Sequence, residues 1–522
     1  MKKIFIYLIG MSFLTLYAQD KIWQRKAGGV YSDFLYDGIA TLDYGFILAG
    51  AGISEGGSTK KGNYDYLLAK YNEEGDKQWQ KSFGGNRHDY LKQITLGYDG
   101  GYLLSGNSNS GISGIKTVAN IGGFDIWLLK LDINGNPDWQ KSLGGLADEQ
   151  VSHVIRANDG GFLIAGSTAS EEFTPSGDTY SSPDLIIKEG ENYGNLDYWI
   201  VKISSKGELQ WQKSFGGKYK DELKQVLQLP QGDILLAGNS NSSVSGNKSL
   251  AGKGKNDWWL IKLTGQGDML WQKSFGDEAD DKLSSMIYTN DKNILLGGNY
   301  TYIDKKSKEN KADIVLRKID INGNLLWKET YDNDGDDYLT NIIQNLDGTL
   351  ILGAYSTTHT KGIKEKLKGK EDFLIIKIEE TGEELWRRNL GTAKKEVLKK
   401  ILGTRDGGYV LMGSSMIHGK GDSNADYLML KIADGDKPLH EKIPLEAIPN
   451  PAITYTQAVV SKDYEKGILR LIDLNGKVLY EKILSGEKII PLSMRTYPDG
   501  VYIINITVDD RANNSVKVLK SR

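Results

Sequence analysis

Trp211-Gln212-Lys213-Ser214-Phe215-Gly216-Gly217 is one of seven versions of a string that indexes most of the chain. The copies begin at Trp23, Trp79, Trp139, Trp211, Trp271, Trp327 and Trp386, with spacings of 56, 60, 72, 60, 56 and 59 residues. Later copies drift to Trp327-Lys328-Glu329 and Trp386-Arg387-Arg388. A fixed internal period of this size marks stacked supersecondary units, each too small to bury its own apolar face. The units, rather than the length of 522 residues, therefore set the architecture.

Spacing inside each copy is stricter than spacing between copies. Twenty residues after each tryptophan comes a turn such as Asp99-Gly100-Gly101, Asp159-Gly160-Gly161 or Asp406-Gly407-Gly408, suited to a tight hairpin. Fourteen residues before each tryptophan from the second onward, an aspartate opens an apolar run: Asp65, Asp125, Asp197, Asp257, Asp313 and Asp372. Asp426 opens a seventh such run with no tryptophan after it. Each unit thus predicts four strands, at 151–157, 162–166, 198–203 and 211–215 in the third full repeat. The second and third are nearly continuous apolar runs, as in strands covered on both faces, and the Trp strand alternates like an edge.

With that phase, 398–432 supplies three strands of a last unit that lacks its fourth, and the Trp23 strand has no unit before it. Joining the two removes a free edge. The expectation is an all-β chain whose residues 19–437 form a seven-bladed β-propeller, the N-terminal strand closing the last blade. The run Tyr102-Leu103-Leu104-Ser105-Gly106, then Trp127-Leu128-Leu129-Lys130, then Trp139 resembles the kelch repeat, although it lacks that repeat's double glycine and runs longer. The string from Asp313 to Gly323 is similar to the delta-60 repeats of bacterial exported proteins. Both resemblances imply blade topology and neither implies a ligand.

Lys plus Arg (65) nearly balances Asp plus Glu (68), so no strong field selects nucleic acid or an anionic membrane. Lys2 and Lys3, an apolar run to Leu16 and Ala18 read as a secretory signal peptide over 1–18. No later stretch is long and apolar enough for a transmembrane segment. With no cysteine, neither a disulfide nor a lipid-bearing cysteine holds the product.

After Asp434 the repeat stops. Leu469-Arg470-Leu471-Ile472-Asp473-Leu474-Asn475-Gly476-Lys477-Val478-Leu479 reads as two strands joined through an Asn-Gly turn, which makes 443–522 a small β-sandwich. Ile448-Pro449-Asn450-Pro451, Pro498-Asp499-Gly500-Val501-Tyr502 and the basic end from Lys517 to Arg522 resemble the type A C-terminal sorting domain of the type IX secretion pathway. The resemblance implies recognition by the type IX translocon and passage through the periplasm to the outer-membrane surface or the medium.

Two features invite a ligand. The large length variation falls in the connection between second and third strands, and insertions of one loop type project from one face. The longest lies between Ser167 and Leu196 and carries Tyr180 and Tyr193. Ten residues after each tryptophan stands an acid: Asp33, Asp89, Glu149, Asp221, Asp281, Asp337 and Glu396. On the blade phase these acids ring the channel mouth, where they would bind a cation or a hydroxyl-rich ligand; as a purely structural feature they would accept backbone N–H bonds at turns.

No cofactor is expected except calcium. Asp332-Asn333-Asp334-Gly335-Asp336-Asp337 has the oxygen density of a calcium loop, but its glycine is fourth rather than sixth and position twelve is Ile343. The five histidines form no metal pair, and neither a Gly-x-Ser-x-Gly elbow nor a phosphate-cradling glycine loop appears. The sequence therefore favours a surface or secreted binding or scaffold module for a glycan or protein. Its rival is a polysaccharide-active hydrolase or lyase using carboxylates at the mouth, for which two or three acids should converge in one pocket and differ from their counterparts elsewhere.

Overall fold

A computed structural model describes residues 21–27, 34–53, 63–133, 135–172, 182–303, 310–333, 335–357, 371–392, 394–416, 426–435, 439–509 and 512–521. The expected signal peptide, Asp33 and Tyr180 lie outside the described residues. Among the described residues there are strands, turns and loops and no helix.

Sheet 4 shows the plan. Asp221–Gln228, Ile234–Ser240, Asp257–Leu263 and Met269–Phe275 pair antiparallel in chain order. The middle two are buried along their whole length, as their unbroken apolar runs require, and the Trp strand is mostly half-exposed. Sheets 1, 2, 3, 5 and 6 repeat the plan, their first strands starting at Phe34, Asp89, Glu149, Asp280 and Asp337. Sheet 7 consists of Lys395–Gly403, Tyr409–Met416 and Asp426–Ile432, and Lys21–Ala27 takes the fourth place with Trp23 opposite Lys431.

Apolar clusters join consecutive sheets. Leu235, Trp258 and Leu260 of sheet 4 pack with Leu283, Met286 and Leu296 of sheet 5. The last cluster joins Met412, Tyr427 and Met429 of sheet 7 to Leu35, Phe46 and Tyr71 of sheet 1. Fully buried side chains such as Leu235 and Leu260 each contribute about 1.5–3 kcal/mol. The result is a β-propeller-like array.

The recurring tryptophans pack between sheets. The Trp211 ring lies against Gly267, in the turn between the third and fourth strands of sheet 4, and Trp23 lies against Gly75 of sheet 1 in the same way. Both glycines have positive φ, 89° and 77°, which favours glycine, and a Cβ would press on the ring at 3.0–3.1 Å.

Two details were not predicted by the repeat. The first strand of every sheet carries a register shift, for example between Leu91 and Gln93, Val151 and His153, and Leu223 and Gln225. Part of the longest connection also folds back, so that Leu185–Ile187 adds a fifth, parallel strand to sheet 2 beside Pro137–Gly144. That insertion is anchored rather than simply projecting.

The tail is a two-sheet sandwich. Leu445–Ile448, Tyr455–Val460 and Ile489–Ser493 face a second sheet of Val478–Leu484, Gly467–Ile472, Gly500–Val508 and Ala512–Lys520 across a shared core of Leu469, Ile490, Leu492, Ile504 and Val518. The expected hairpin through Asn475-Gly476 is present, with Gly476 at φ 83°. The tail rests on the end of the sheets that carries the first-to-second strand turns. There Arg405 holds Glu446 with two bonds of 2.6 and 2.7 Å, and Lys442 pairs with Glu73.

Candidate functional site

Each meander has a turn end and a loop end. At the turn end, the third strand of every sheet carries one lysine five residues after its opening aspartate: Lys70, Lys130, Lys202, Lys262, Lys318, Lys377 and Lys431. All seven are buried. Six pair at 2.6–3.0 Å with Asp43, Asp99, Asp159, Asp233, Asp291 and Asp434, and Lys431 pairs with Asp406. A lone lysine at a constant offset in an apolar strand was visible in the sequence and signals this buried pairing. For Asp43 and Asp406, burial pushes the carboxyl up, but the lysine charge and hydrogen bonds outweigh it and hold both below the usual range.

At the loop end stand the acids that open the first strands. Asp89, Glu149, Asp221, Asp281, Asp337 and Glu396 are each fully enclosed. Each accepts the backbone N–H of the residue four before it, from Gly85, Gly145, Gly217, Asp277, Asn333 and Thr392, at 2.7–3.1 Å. Ser110, Ser170 and Ser242 donate to Asp89, Glu149 and Asp221 at 2.9, 2.6 and 2.8 Å. These carboxylates tie the turn leaving one sheet to the strand opening the next, and Glu149 alone of the six reaches the wall of the large cavity described below. Burial pushes Asp337 up to about 7; it does the same to Asp125 and Asp197, which open third strands at the same end.

The side chains that face open space come from neighbouring positions. A cavity of about 640 Å³ is lined by Tyr90, Lys92, Phe124, Gln150, Ser152 and Lys224, among others. Lys92, Ser152, Lys224 and Ser284 occupy the register shift of their strands, where a bulge re-aims a side chain. Lys92 lies 3.7 Å over the Tyr36 ring, and burial together with Lys399 lowers it to about 8. Lys224 donates to Glu222 at 2.7 Å.

Beside this cavity runs a chain of rings. Phe34, Tyr64, His88, Tyr90 and Phe124 follow one another at centroid distances of 5.3–6.0 Å, all half-buried at the loop end of sheets 1 and 2. Their counterparts in sheet 4, Glu222 beside its acid and Asn256 before its third strand, are polar. The array is therefore symmetric in its acids and asymmetric in its rings. Sequence reading passed over the rings because they fall one residue to either side of the acids.

Among the described residues, one group of carboxylates has metal-ligand spacing: Asp313, Asp332 and Asp337 bring an oxygen each to within 4.8 Å of the others. The histidines do not join it: His153 is half-buried, its Nδ1 is 3.1 Å from the Val226 carbonyl, and burial lowers it to about 4.

Comparison with known proteins identifies the tail. Residues 446–521 match the Secretion system C-terminal sorting domain, the module through which the type IX system exports proteins to the cell surface or the medium. No helix among the described residues is long and apolar enough to cross a membrane. The chain is 24% identical over 255 residues to the regulatory protein FlaEY of Caulobacter vibrioides, which is 47% of this chain and 25% of that protein. It thus spans about a quarter of that relative's length.

Partly similar solved structures include a protein of unknown function from Bacteroides caccae, at 12% identity over 62% of this chain and 90% of that one, TM-score 0.33. A fungal alcohol oxidase in complex with copper aligns at 10% identity over 97% of this chain and 100% of that one, TM-score 0.46. An alpha-L-arabinofuranosidase from Fusarium graminearum aligns at 10% over 65% and 91%, TM-score 0.37. At such TM-scores these likenesses carry no argument about activity.

Proposed function

We propose that residues 19–437 form a closed seven-bladed β-propeller that binds glycan at its loop end without covalent chemistry, delivered by the sorting domain over 443–522 after removal of a signal peptide over 1–18. The pairing of Lys21–Ala27 with Asp426–Ile432 and the core shared by sheets 7 and 1 support closure. The observation that carries the binding reading is the run of half-buried rings from Phe34 to Phe124 along the polar cavity. Flat aromatic faces pack against the apolar faces of sugar rings, while Lys92, Gln150 and Ser152 offer hydrogen bonds to hydroxyls. The acid ring acts through the turns it fixes, with Glu149 on the cavity wall.

The hydrolase or lyase reading draws less support. Both Glu149 oxygens are already engaged, by Thr168 and Ser170 on one side and the Gly145 N–H on the other, so none of the ring acids at the cavity is free for proton transfer. Titration calorimetry of the full chain against a panel of soluble polysaccharides, with Tyr90→Ala and Phe124→Ala alongside, tests the proposal. Saturable binding weakened in both variants supports it. Release of reducing ends, or binding indifferent to both substitutions, overturns it.

A further inference from the structure

Every described junction pairs the aspartate that opens a third strand with the acid that opens the next sheet: Asp65 with Asp89, Asp125 with Glu149, Asp197 with Asp221, Asp257 with Asp281, Asp313 with Asp337, and Asp372 with Glu396. All twelve are buried. Two enclosed carboxylates need a positive neighbour. Lys116 acts on Asp89 and Asp125, Lys188 on Asp197 and Glu149, and Lys248 on Asp221 and Asp257, while Arg317 donates to Asp281 at 3.1 Å.

The junction between sheets 5 and 6 departs from this in two ways. Its cations are half-exposed rather than buried: Arg387 acts on Asp337 and Asp332 while donating to Glu384, to the Asp332 carbonyl and to Asn333 Oδ1, and Lys311 acts on Asp313. The Oδ1 atoms of Asp313 and Asp337 are enclosed and without a hydrogen-bond partner. Orphaned Oδ1 atoms recur at other junctions, including those served by Lys116, Lys188 and Lys248. Second, the sixth residue of the Trp string is Gly84, Gly144, Gly216, Gly276 and Gly391 in the other sheets, and a Cβ there would run into Oδ1 of the third-strand aspartate. In sheet 5 that residue is Asp332, which brings a third carboxylate, itself exposed, to the place where Asp313 meets Asp337.

We propose that Asp313, Asp332 and Asp337 bind a divalent cation of the size of calcium. The ion adds the buried positive charge that a lysine or arginine supplies at four of the other junctions, and takes up the two orphaned oxygens. Calcium–oxygen bonds of about 2.3–2.6 Å place two ligands of one ion no more than about 5 Å apart, which the 4.8 Å grouping meets. A donor set of carboxylates alone suits a hard cation and not zinc. Exposed Asp332 leaves remaining coordination positions to water. Asp332 and Asp337 belong to the stretch whose spacing fails as a helix-loop calcium motif, because here the ligands come from two sides of a junction.

The test uses the full chain stripped with a chelator. Terbium luminescence sensitised by the nearby Tyr331 and Tyr302, and the thermal midpoint with and without calcium chloride, are followed in wild type and Asp332→Gly. That substitution restores the residue of the other five junctions and should fold. Expected are a saturable terbium signal and a midpoint several degrees higher with calcium in wild type, and at least tenfold weaker terbium binding with no calcium-dependent rise in the variant. Identical midpoints with and without calcium in wild type, or undiminished binding by Asp332→Gly, overturn the proposal. Magnesium raising the midpoint as much as calcium at equal concentration overturns the size assignment.

Discussion

The two ends of the sheets hold buried carboxylates in opposite ways. At the turn end, Asp43 and Asp406 each face a buried lysine that overcomes burial and keeps them charged. At the loop end, Asp125 and Asp197 receive backbone N–H bonds from Ile121 and Tyr193, and burial wins. For Asp43 and Asp406 a lysine within hydrogen-bond reach outweighs burial, for Asp125 and Asp197 a backbone N–H does not, and at Asp281 burial outweighs even Arg317 at 3.1 Å. One end is thereby a uniform clamp, and the other carries the irregular rings, cavity and carboxylate group.

The strongest challenge to this contrast is removal of a clamp lysine. Lys377 holds both oxygens of Asp434 at 2.8 and 2.7 Å and so links sheet 6 to sheet 7. Lys377→Met leaves a buried carboxylate uncompensated and should cost about 3–5 kcal/mol in denaturant unfolding. Polysaccharide affinity of the protein that remains folded should not change.

A pH series separates the ends without mutation. Asp125 and Asp197 at the loop end have folded pKa values raised above the unfolded ones, near 4, so their contribution is complete below about pH 4 and is lost as pH rises through about 7. Asp43 and Asp406 at the turn end are lowered, so their contribution exists above about pH 4 and is lost as pH falls below it. Thermal midpoints should therefore peak in mildly acid solution and decline toward pH 8, and Asp125→Asn should flatten the alkaline side. A midpoint rising steadily to pH 8 would refute the assignment.

Smaller effects sharpen the division. Tyr90→Ala should weaken polysaccharide binding about tenfold, roughly 1.4 kcal/mol, with an unfolding midpoint little changed because the ring is only half-buried. Smallest is Arg405→Ala, which breaks a half-exposed pair with Glu446 worth about 1 kcal/mol or less. It should appear as faster protease release of the tail and not as a lower midpoint for the sheets.

Much of the fold was legible because the tryptophan and the third-strand aspartate recur at fixed offsets. The middle strands at 162–166 and 198–203 were found within two residues, Phe162–Thr168 and Asp197–Ile203, because covered strands are unbroken apolar runs. The first strand was placed two residues late, at 151 rather than Glu149, because a buried acid reads as a turn residue. Leu185–Ile187 was not foreseen, since three residues in a polar insertion show no periodicity. In the candidate site the acids were visible but their enclosure was not, because burial depends on the neighbouring sheet. Asp332 was legible in principle: aligning the Trp strings shows aspartate where the other copies have glycine.

The pairing of Trp23 with Lys431 has a consequence for the order of events during folding. These partners lie at opposite limits of the repeat region, so the clasp carries the largest loop-closure cost of any strand pair in the array and should form late. Until then the outer border of Asp426–Ile432 stays unzipped and the faces of sheets 7 and 1 stay wet. A chain built this way reaches its mature stability in one late step, which favours completing it where the whole polypeptide is already present.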